Sequence, residues 1–438
     1  MFMIIYIHVQ KYPIFAHERI VSGVSLQIGV IFMSYQLLSS IFYSNQKNYE
    51  EIYRSRISSE YTHHIDFCIG DFPAFYTITP KIHQTILDIQ KLDKKVLLLR
   101  RKLPPIAIQQ FTTRCLIDEV ALSNNIEGVH STRKEILSAL EKEDKRARFH
   151  GIVQKYLALN DPKNISVATC QDIRSIYDEI VLDEVVNNDP SNMPDGKIFR
   201  KNSVSVASAT QKEIHRGLMP EEKIISSMEQ ALAYLNNEDE ELLYRTAVFH
   251  YLLGYIHPFY DGNGRLNRFI SSYMISKELD PLLGYRLSYT IKANINSYYK
   301  AFKICNDKLN RGDLTPFIET FLDFVKESAA LLVEALQKRI DRLSWYLQHI
   351  YILPNPDSQT FLGLYSLLVQ AALFSESGIS TADLLAELDI SRGTLPKKLK
   401  VVDDMHLLIR SKEKNQKVFS MDLNAFDSLI EKVEAEKE

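Results

Sequence analysis

The residue pattern predicts a mainly α-helical protein with one small β-hairpin, followed by a C-terminal section of three short helices and a strand pair. Three observations carry this expectation. Apolar residues recur at the three-to-four spacing of amphipathic helices in residues 81–102, 106–122, 220–236, 240–256 and 314–345. Residues 196–206 follow a Pro-Asp-Gly turn and then alternate, as a hairpin does. Beyond Pro354-Asn355-Pro356-Asp357 the periodic stretches shorten to 361–374, 381–388 and 391–405, and 407–410 and 417–420 read as strands around a charged tip.

Composition bounds what such a protein can be. With 438 residues and 45% hydrophobic content, the chain is long enough for two to three domains with real cores. Lys and Arg number 52 against 55 Asp and Glu, a net charge of −3, so no global basic field calls for nucleic acid or an anionic membrane; any such site is local. Cys68, Cys115, Cys170 and Cys305 stand far apart without paired spacing, which predicts free buried thiols rather than disulfides or zinc. These features suit a cytoplasmic enzyme.

The first element is the least regular. Residues 20–46 carry no charge and are long enough to span a bilayer, but Ser22, Ser25, Gln27, Ser34, Gln36, Ser39 and Ser40 dilute them. An extension outside the membrane is expected, with Met33 as an alternative start. From about Asp66 to Tyr346 the chain reads as mostly helical. Helix 106–122 leads into Ser123-Asn124-Asn125-Ile126-Glu127-Gly128, where Gly128 suits a helix end.

The densest chemistry follows helix 240–256, whose apolar face is Leu242, Leu243, Ala247, Val248, Tyr251 and Leu252. Pro258 forces the chain out of that helix, and Gly262 and Gly264 permit a tight turn. Helical spacing resumes at Leu266, Phe269, Ile270, Tyr273 and Met274. Gly262, Asn263 and Gly264 therefore offer free backbone N–H groups at a helix start, an anion site. Arg265 and Arg268 sit in that first turn, where cations are unfavourable unless an anion lies between them. Asp261 suits a hard cation such as Mg²⁺, and His257, with an ordinary pKa near neutrality, suits a general base. Singly, a His-Pro pair ends helices and Asp-Gly-Asn-Gly makes turns. Together within twelve residues they point to phosphate transfer.

Residues His257 to Arg268 resemble the signature of the Fic family, His-Pro-Phe-x-Asp-Gly-Asn-Gly-Arg-x-x-Arg, at all nine specified positions. The resemblance implies a Fic helical core that binds ATP and moves AMP onto a protein side-chain hydroxyl, releasing pyrophosphate. It implies that His257 deprotonates the hydroxyl, Asp261 holds Mg²⁺, Gly262, Asn263 and Gly264 cradle phosphate oxygens, and Arg265 and Arg268 neutralise the β/γ end. Such a transfer asks the protein mainly for in-line positioning and charge stabilisation.

Three companions extend the resemblance over roughly residues 123–324. Residues 196–206 look like the family's flap, with Ile198, Phe199 and Val204 docking an extended target segment by strand pairing; an ordinary surface hairpin is the alternative. Tyr298-Tyr299-Lys300-Ala301-Phe302 with Asn306 resembles the helix beside the nucleotide, so that Tyr299 and Asn306 line the adenosine site or else pack in the core. Ser123 to Gly128 resembles the inhibitory motif Ser/Thr-x-x-x-Glu-Gly/Asn. By that likeness Glu127 pairs with Arg268, takes the γ-phosphate's place and restrains the enzyme.

The expected organisation is an N-terminal extension at 1–65, a Fic catalytic domain at 66–350 with the inhibitory helix near 123–128, and a winged helix-like domain at 357–425. Arg392, Lys397, Lys398, Lys400, Arg410, Lys412, Lys414 and Lys417 make the last section locally basic, as DNA phosphate contacts require, although solvated lysines serve solubility equally well. The expected activity is a protein adenylyltransferase using ATP and Mg²⁺ on a hydroxyl-bearing target protein, the chain itself included. A homodimer and DNA are candidate further partners. A DNA-binding regulator with a nucleotide-sensing core, and an enzyme transferring another phosphate-containing group, are the alternatives.

Overall fold

A computed structural model describes residues 35–141, 147–160, 165–207, 213–413 and 416–436. Most of the extension, including Met33 and the larger part of the uncharged stretch 20–46, lies outside the described residues. Among those described, no helix is long and apolar enough to cross a membrane.

The described chain begins with α1 (Leu38–Ser44) and α2 (Gln46–Ile57), which bury Leu38, Ile41 and Tyr49 against Phe75. The Tyr49 hydroxyl donates to the Leu309 carbonyl at 2.6 Å, and Arg56 meets Asp313 at 3.3 Å. An antiparallel hairpin follows, β1 (Thr62–Ile69) and β2 (Phe72–Thr77), turning at Gly70 with φ +60°. It opens the stretch expected to be mostly helical from about Asp66, and the expected domain break at residue 65 falls inside β1. The signal was present: Ile65, Phe67 and Ile69 point inward while Asp66 and Cys68 point out, the period-two pattern of a half-buried strand. Cys68 is exposed, the one departure from the expectation of buried thiols.

Thr79 caps α3 (Pro80–Arg100) by accepting from the Ile82 N–H. Next come α4 (Pro105–Ile126), α5 (Arg133–Glu141) and α6 (His150–Leu157). A capping box of Thr169 and Asp172 starts α7 (Cys170–Tyr177), which widens through a π-helical turn at Asp178–Leu182 into α8 (Asp183–Asn188). The small hairpin of β3 (Ser205–Ala207) and β4 (Glu213–Arg216) precedes α9 (Glu221–Leu235).

At the centre lie α10 (Leu242–Ile256) and α11 (Asn263–Glu278), packed against each other and buried on nearly every face. A helix apolar all round belongs in the middle of a bundle. Short α12 (Pro281–Gly284) and α13 (Leu287–Ala293) lead to α14 (Ile295–Cys305) and to the long α15 (Thr315–His349), which packs along α3.

The C-terminal section comprises α16 (Gln359–Phe374), β5 (Ile379–Ser380), α17 (Thr381–Leu388), α18 (Leu395–Asp404), β6 (Leu408–Glu413) and β7 (Gln416–Met421), its sheet ordered β5-β7-β6. The periodic stretch expected to start at 391 becomes helix only at Leu395, because Ser391 and Thr394 close a turn through their hydroxyls at 2.9 Å. A further helix, α19 (Leu423–Ala435), carries the section past the expected end at 425. Asp422 caps it, and Phe426 stacks on Tyr346 of α15 at 5.6 Å, joining the section to the helical core.

Candidate functional site

His257 ends α10 in a left-handed conformation, φ 52°, which a β-carbon-bearing residue rarely adopts. Its N–H still bonds the Leu253 carbonyl at 2.9 Å, and Pro258 prevents the helix from continuing. Arg200, wholly buried, holds the surroundings in place. Its Nε donates to the His257 carbonyl at 2.9 Å, Nη1 to the Asn202 carbonyl at 2.5 Å and Nη2 to the Leu218 carbonyl at 2.9 Å. One guanidinium thus ties His257 to the loop before β3 and to the strand exit after β4.

Burial and the nearby Arg200 charge push the His257 imidazole down to about 4, against a smaller upward pull from Glu127. The expectation of a near-neutral pKa is therefore corrected. The residue is half-buried and lines the pocket, and the lowered value leaves its ring neutral at physiological pH.

That pocket is lined by His257, Gly254, Asn263, Gly264, Asn267, Arg268, His215, Tyr298, Tyr299, Phe302, Asn306 and Glu127. The sequence-expected His257, Asn263, Gly264, Arg268, Tyr299, Asn306 and Glu127 thus converge from α4, α10, α11 and α14. Arg268 is 1% exposed, so its charge needs partners inside the protein. It finds three: Nη1 donates to Glu127 Oε1 at 2.7 Å, Nε to Ser123 Oγ at 3.0 Å and Nη2 to the Ser123 carbonyl at 2.8 Å. Ser123 and Glu127 stand one turn apart on the end of α4, so one arginine grips both.

Gly264 explains how close the carboxylate comes. A β-carbon there would lie 2.0 Å from Glu127 Oε1, so a side chain at 264 and the present position of Glu127 exclude each other. The Glu127 carboxylate sits at the start of α11, where backbone N–H groups and the helix dipole favour negative charge.

Several expected residues face elsewhere. Arg265 is 1% exposed, pairs with Glu184 at 2.5 Å and does not line the His257 pocket; Glu184 borders a separate cavity between α6 and α8. Arg265 stands three residues before Arg268, only about 60° round the helix, and it is the pairing with Glu184 that draws its guanidinium away from the pocket. The Gly262 N–H is taken by Asp261 Oδ1 at 2.5 Å, and Gly262 caps α11 with φ +80° rather than lining the pocket. Asn263 spends its side chain on both polar groups of the Phe259 backbone, at 2.8 and 3.0 Å, which leaves its N–H for an anion.

Asp261 is partly exposed and stands as a lone carboxylate: among the described residues no cluster of three or more His, Cys, Asp or Glu could cage a metal. A single carboxylate fits Mg²⁺, which takes its remaining ligands from phosphates and water.

The flap is also redrawn. Its paired strands span β3 and β4, not 196–206, and the Gly217 N–H continues the pairing to the Val204 carbonyl at 3.0 Å. Residues 197–199 form a loop whose three N–H groups all donate to the Glu221 carboxylate, at 2.9, 2.8 and 3.0 Å. Ile198 and Val204 remain half-buried. Phe199 is fully buried edge-on against Phe259, so it belongs to the core and not to a docking face.

Sequence reasoning passed over Arg200, His250, Asn267 and Tyr298. The first and last lie inside segments singled out for other residues; for His250 the available signal was a polar residue on an otherwise apolar helix.

Part of the chain is similar to known proteins. Residues 167–275 match the Fic/DOC family model. The protein adenylyltransferase Fic of Drosophila yakuba is 31% identical over 111 residues, 25% of this chain and 21% of that relative. The corresponding Drosophila melanogaster protein is 30% identical over the same length. The match thus spans about a fifth of the length of these relatives. Among solved structures, a Fic family protein from Desulfovibrio desulfuricans aligns with 79% of this chain and 97% of its own, at 19% identity and a TM-score of 0.47. Fic-1 from C. elegans aligns with 69% of this chain and 81% of its own, at 19% identity and a TM-score of 0.41. On the family match and the signature it encloses, residues 167–275 of this chain are a Fic/DOC family domain.

Proposed function

We propose that this chain is a protein adenylyltransferase held in check by Glu127. The observation that carries the proposal is the Glu127 carboxylate seated over Gly264 and bonded to Arg268, inside the pocket that His257 borders. When Glu127 withdraws, it leaves a buried guanidinium and helix N–H groups in need of an anion, which a nucleotide's terminal phosphates supply.

With ATP there, the unprotonated His257 ring takes the proton of a target hydroxyl as its oxygen bonds to the α-phosphorus. The bond from that phosphorus to the β-phosphate bridge breaks, and pyrophosphate leaves. Asn263 and Gly264 N–H groups would bind phosphate oxygens, Arg268 the γ end, and Tyr299 and Asn306 the adenosine. Asp261 would hold Mg²⁺, which when bound neutralises phosphate charge. Arg200 keeps His257 aimed, and a target segment would lie along the flap beside Ile198 and Val204.

The test uses the full chain with labelled ATP, UTP and CTP and maps adducts by mass. Glu127→Gly is expected to raise AMP incorporation about tenfold or more, the effect of roughly 1.4 kcal/mol of pairing released. Adding His257→Ala should abolish transfer while ATP still binds. Equal labelling by wild type and Glu127→Gly would remove the restraint, and a UMP or CMP adduct would change the transferred group.

A second role belongs to the C-terminal section. Lys412 and Lys417 are register partners near the tip of the β6–β7 hairpin, a like-charge pair that costs stability unless an anion lies between them. With exposed Arg392, Lys397 and Lys400 nearby in sequence, this favours contact with DNA phosphates, although Lys398 lies on the Phe361 ring at 4.0 Å and Arg410 on Asp403 at 2.8 Å. Binding that weakens steeply with salt in a gel shift supports this role, and none at low salt ends it.

A further inference from the structure

A chain of hydrogen bonds lies behind the pocket wall. Ser271 Oγ donates its single hydrogen to the Asn267 carbonyl at 2.9 Å, a back-bond along its own helix. His250 Nδ1 stands 2.7 Å from the same Oγ. With its hydrogen already used, that oxygen accepts, so Nδ1 carries the proton. His250 is 0% exposed, ringed by Phe302, Phe317 and Phe321, and its pKa is pushed down to about 3 by burial. A neutral imidazole with its proton on Nδ1 has only a lone pair at Nε2. Tyr298 Oη, 2.8 Å from Nε2, must therefore donate to it.

A phenol has one hydrogen, and Tyr298 spends it inward. What the oxygen offers the pocket is lone pairs alone. Such an oxygen suits a guanidinium and cannot hydrogen-bond a phosphate, whose oxygens also only accept. The guanidinium at hand is Arg268, which lines the same pocket and whose positive charge acts on the Tyr298 hydroxyl. Ser123 and Glu127 take three of its N–H groups, out of the five a guanidinium carries.

We propose that Tyr298 is a positioning residue: through the Ser271–His250–Tyr298 chain it presents an acceptor that holds Arg268 toward the β/γ end of the nucleotide, and it makes no hydrogen bond to phosphate itself. This rests on the adenylyltransferase assignment above for the identity of the ligand, though not for the polarity of the chain. It gives α14 a role in reading the triphosphate, not only in enclosing the adenosine.

Two measurements on the full-length protein test it separately. In the nucleotide-free protein with ¹⁵N-labelled histidine, NMR should find His250 protonated on Nδ1 and bare on Nε2 throughout neutral pH; a proton on Nε2, or a ring that titrates there, overturns the chain. In the Glu127→Gly background, Tyr298→Phe should weaken ATP binding by about tenfold, as loss of one charge-assisted hydrogen bond does. AMP, which lacks the β and γ phosphates, should bind within about twofold of the parent, on the same reasoning. Equal losses for ATP and AMP, or none for ATP, overturn the positioning role. Should Tyr298→Phe melt early, Ser271→Ala, which removes the group fixing the ring proton, should show the same ATP-selective loss at smaller size. Failure of the Glu127→Gly parent to bind ATP strikes the adenylyltransferase assignment instead, and the NMR result then judges the chain alone.

Discussion

At the residue scale the defining feature is a histidine kept neutral. His257 is lowered to about 4 by burial and then by Arg200, so it can accept a proton throughout the physiological range. A base with a depressed pKa loses activity only when pH falls through that lowered value. The acid limb of kcat/KM, which reports the free enzyme, should therefore stay flat from pH 8 down to about 5.5, and a half-loss near 6.5 would contradict the assignment. Because the Glu127 charge raises the His257 pKa, Glu127→Gly should not move the limb upward. Removing the Arg200 charge with Arg200→Met should move it up, while also loosening the three carbonyls that arginine binds. What was legible here is instructive: His257, Gly264 and Arg268, which meet at the pocket, stand out because turn, helix start and charge lie within one short segment. Arg265 misled because its partner Glu184 lies 81 residues earlier in the chain and draws the guanidinium away from the pocket. The lowered pKa could not be read at all, since it depends first on burial in the folded core and then on Arg200, 57 residues earlier in the chain.

At the element scale, α4 is the part that restrains, and it is tied to the C-terminal section. Arg133, just past Glu127, bonds Asp118 on α4 and forks onto both oxygens of Glu376 at 2.5 and 2.6 Å, in the turn after α16. Arg114 of α4 adds a bond to the Ser375 carbonyl at 3.4 Å, and Phe111 packs edge-on against Phe374. Anything that shifts α16 pulls on the helix that presents Glu127. Removing this half-exposed pair is worth about 1 kcal/mol, or about a fivefold change in how often α4 releases Glu127. Glu376→Ala should accordingly raise basal AMP transfer several-fold without reaching the level of Glu127→Gly. No change in basal rate would show that the two elements are merely neighbours. Helix spans were largely readable from apolar spacing, as in 81–102 against Pro80–Arg100, or 381–388 against Thr381–Leu388. The β1–β2 hairpin was missed although its alternation is plain, because helical signals on its far side dominated, and the flap was misplaced because the Glu221 carboxylate captures residues 197–199 as a loop.

At the scale of the whole molecule, the buried polar contacts that join distant elements were invisible in the sequence, and one of them makes stability depend on pH. Glu119, 0% exposed on α4 two turns before Glu127, accepts from the Ser288 N–H at 2.9 Å and its hydroxyl at 2.5 Å, joining α4 to α13. Burial raises its pKa to about 7, outweighing the hydrogen bonds from Ser288 and the Arg268 charge. A carboxyl raised in the folded state contributes stability that is fully present below its unfolded value near 4.5 and lost as pH rises through about 7. His250 has the opposite sign: held at about 3, it contributes stability above 6.5 that is lost as pH falls. His250 and His257 oppose Glu119 between 4.5 and 6.5, and Glu241, which burial also raises to about 7, adds to it, so a variant is needed to isolate Glu119. Glu119→Gln removes the titration while keeping an acceptor for Ser288. On going from pH 5 to pH 8 the wild type should lose about 3 kcal/mol relative to Glu119→Gln, the two pH units between 5 and 7 at about 1.4 kcal/mol each. Urea unfolding of both proteins at the two pH values measures this difference, and parallel pH dependence would mean that Glu119 is already ionised in the fold. A charged Glu119 would then be a second buried carboxylate near Arg268, and the guanidinium that Glu127 occupies would no longer be short of negative charge when Glu127 leaves.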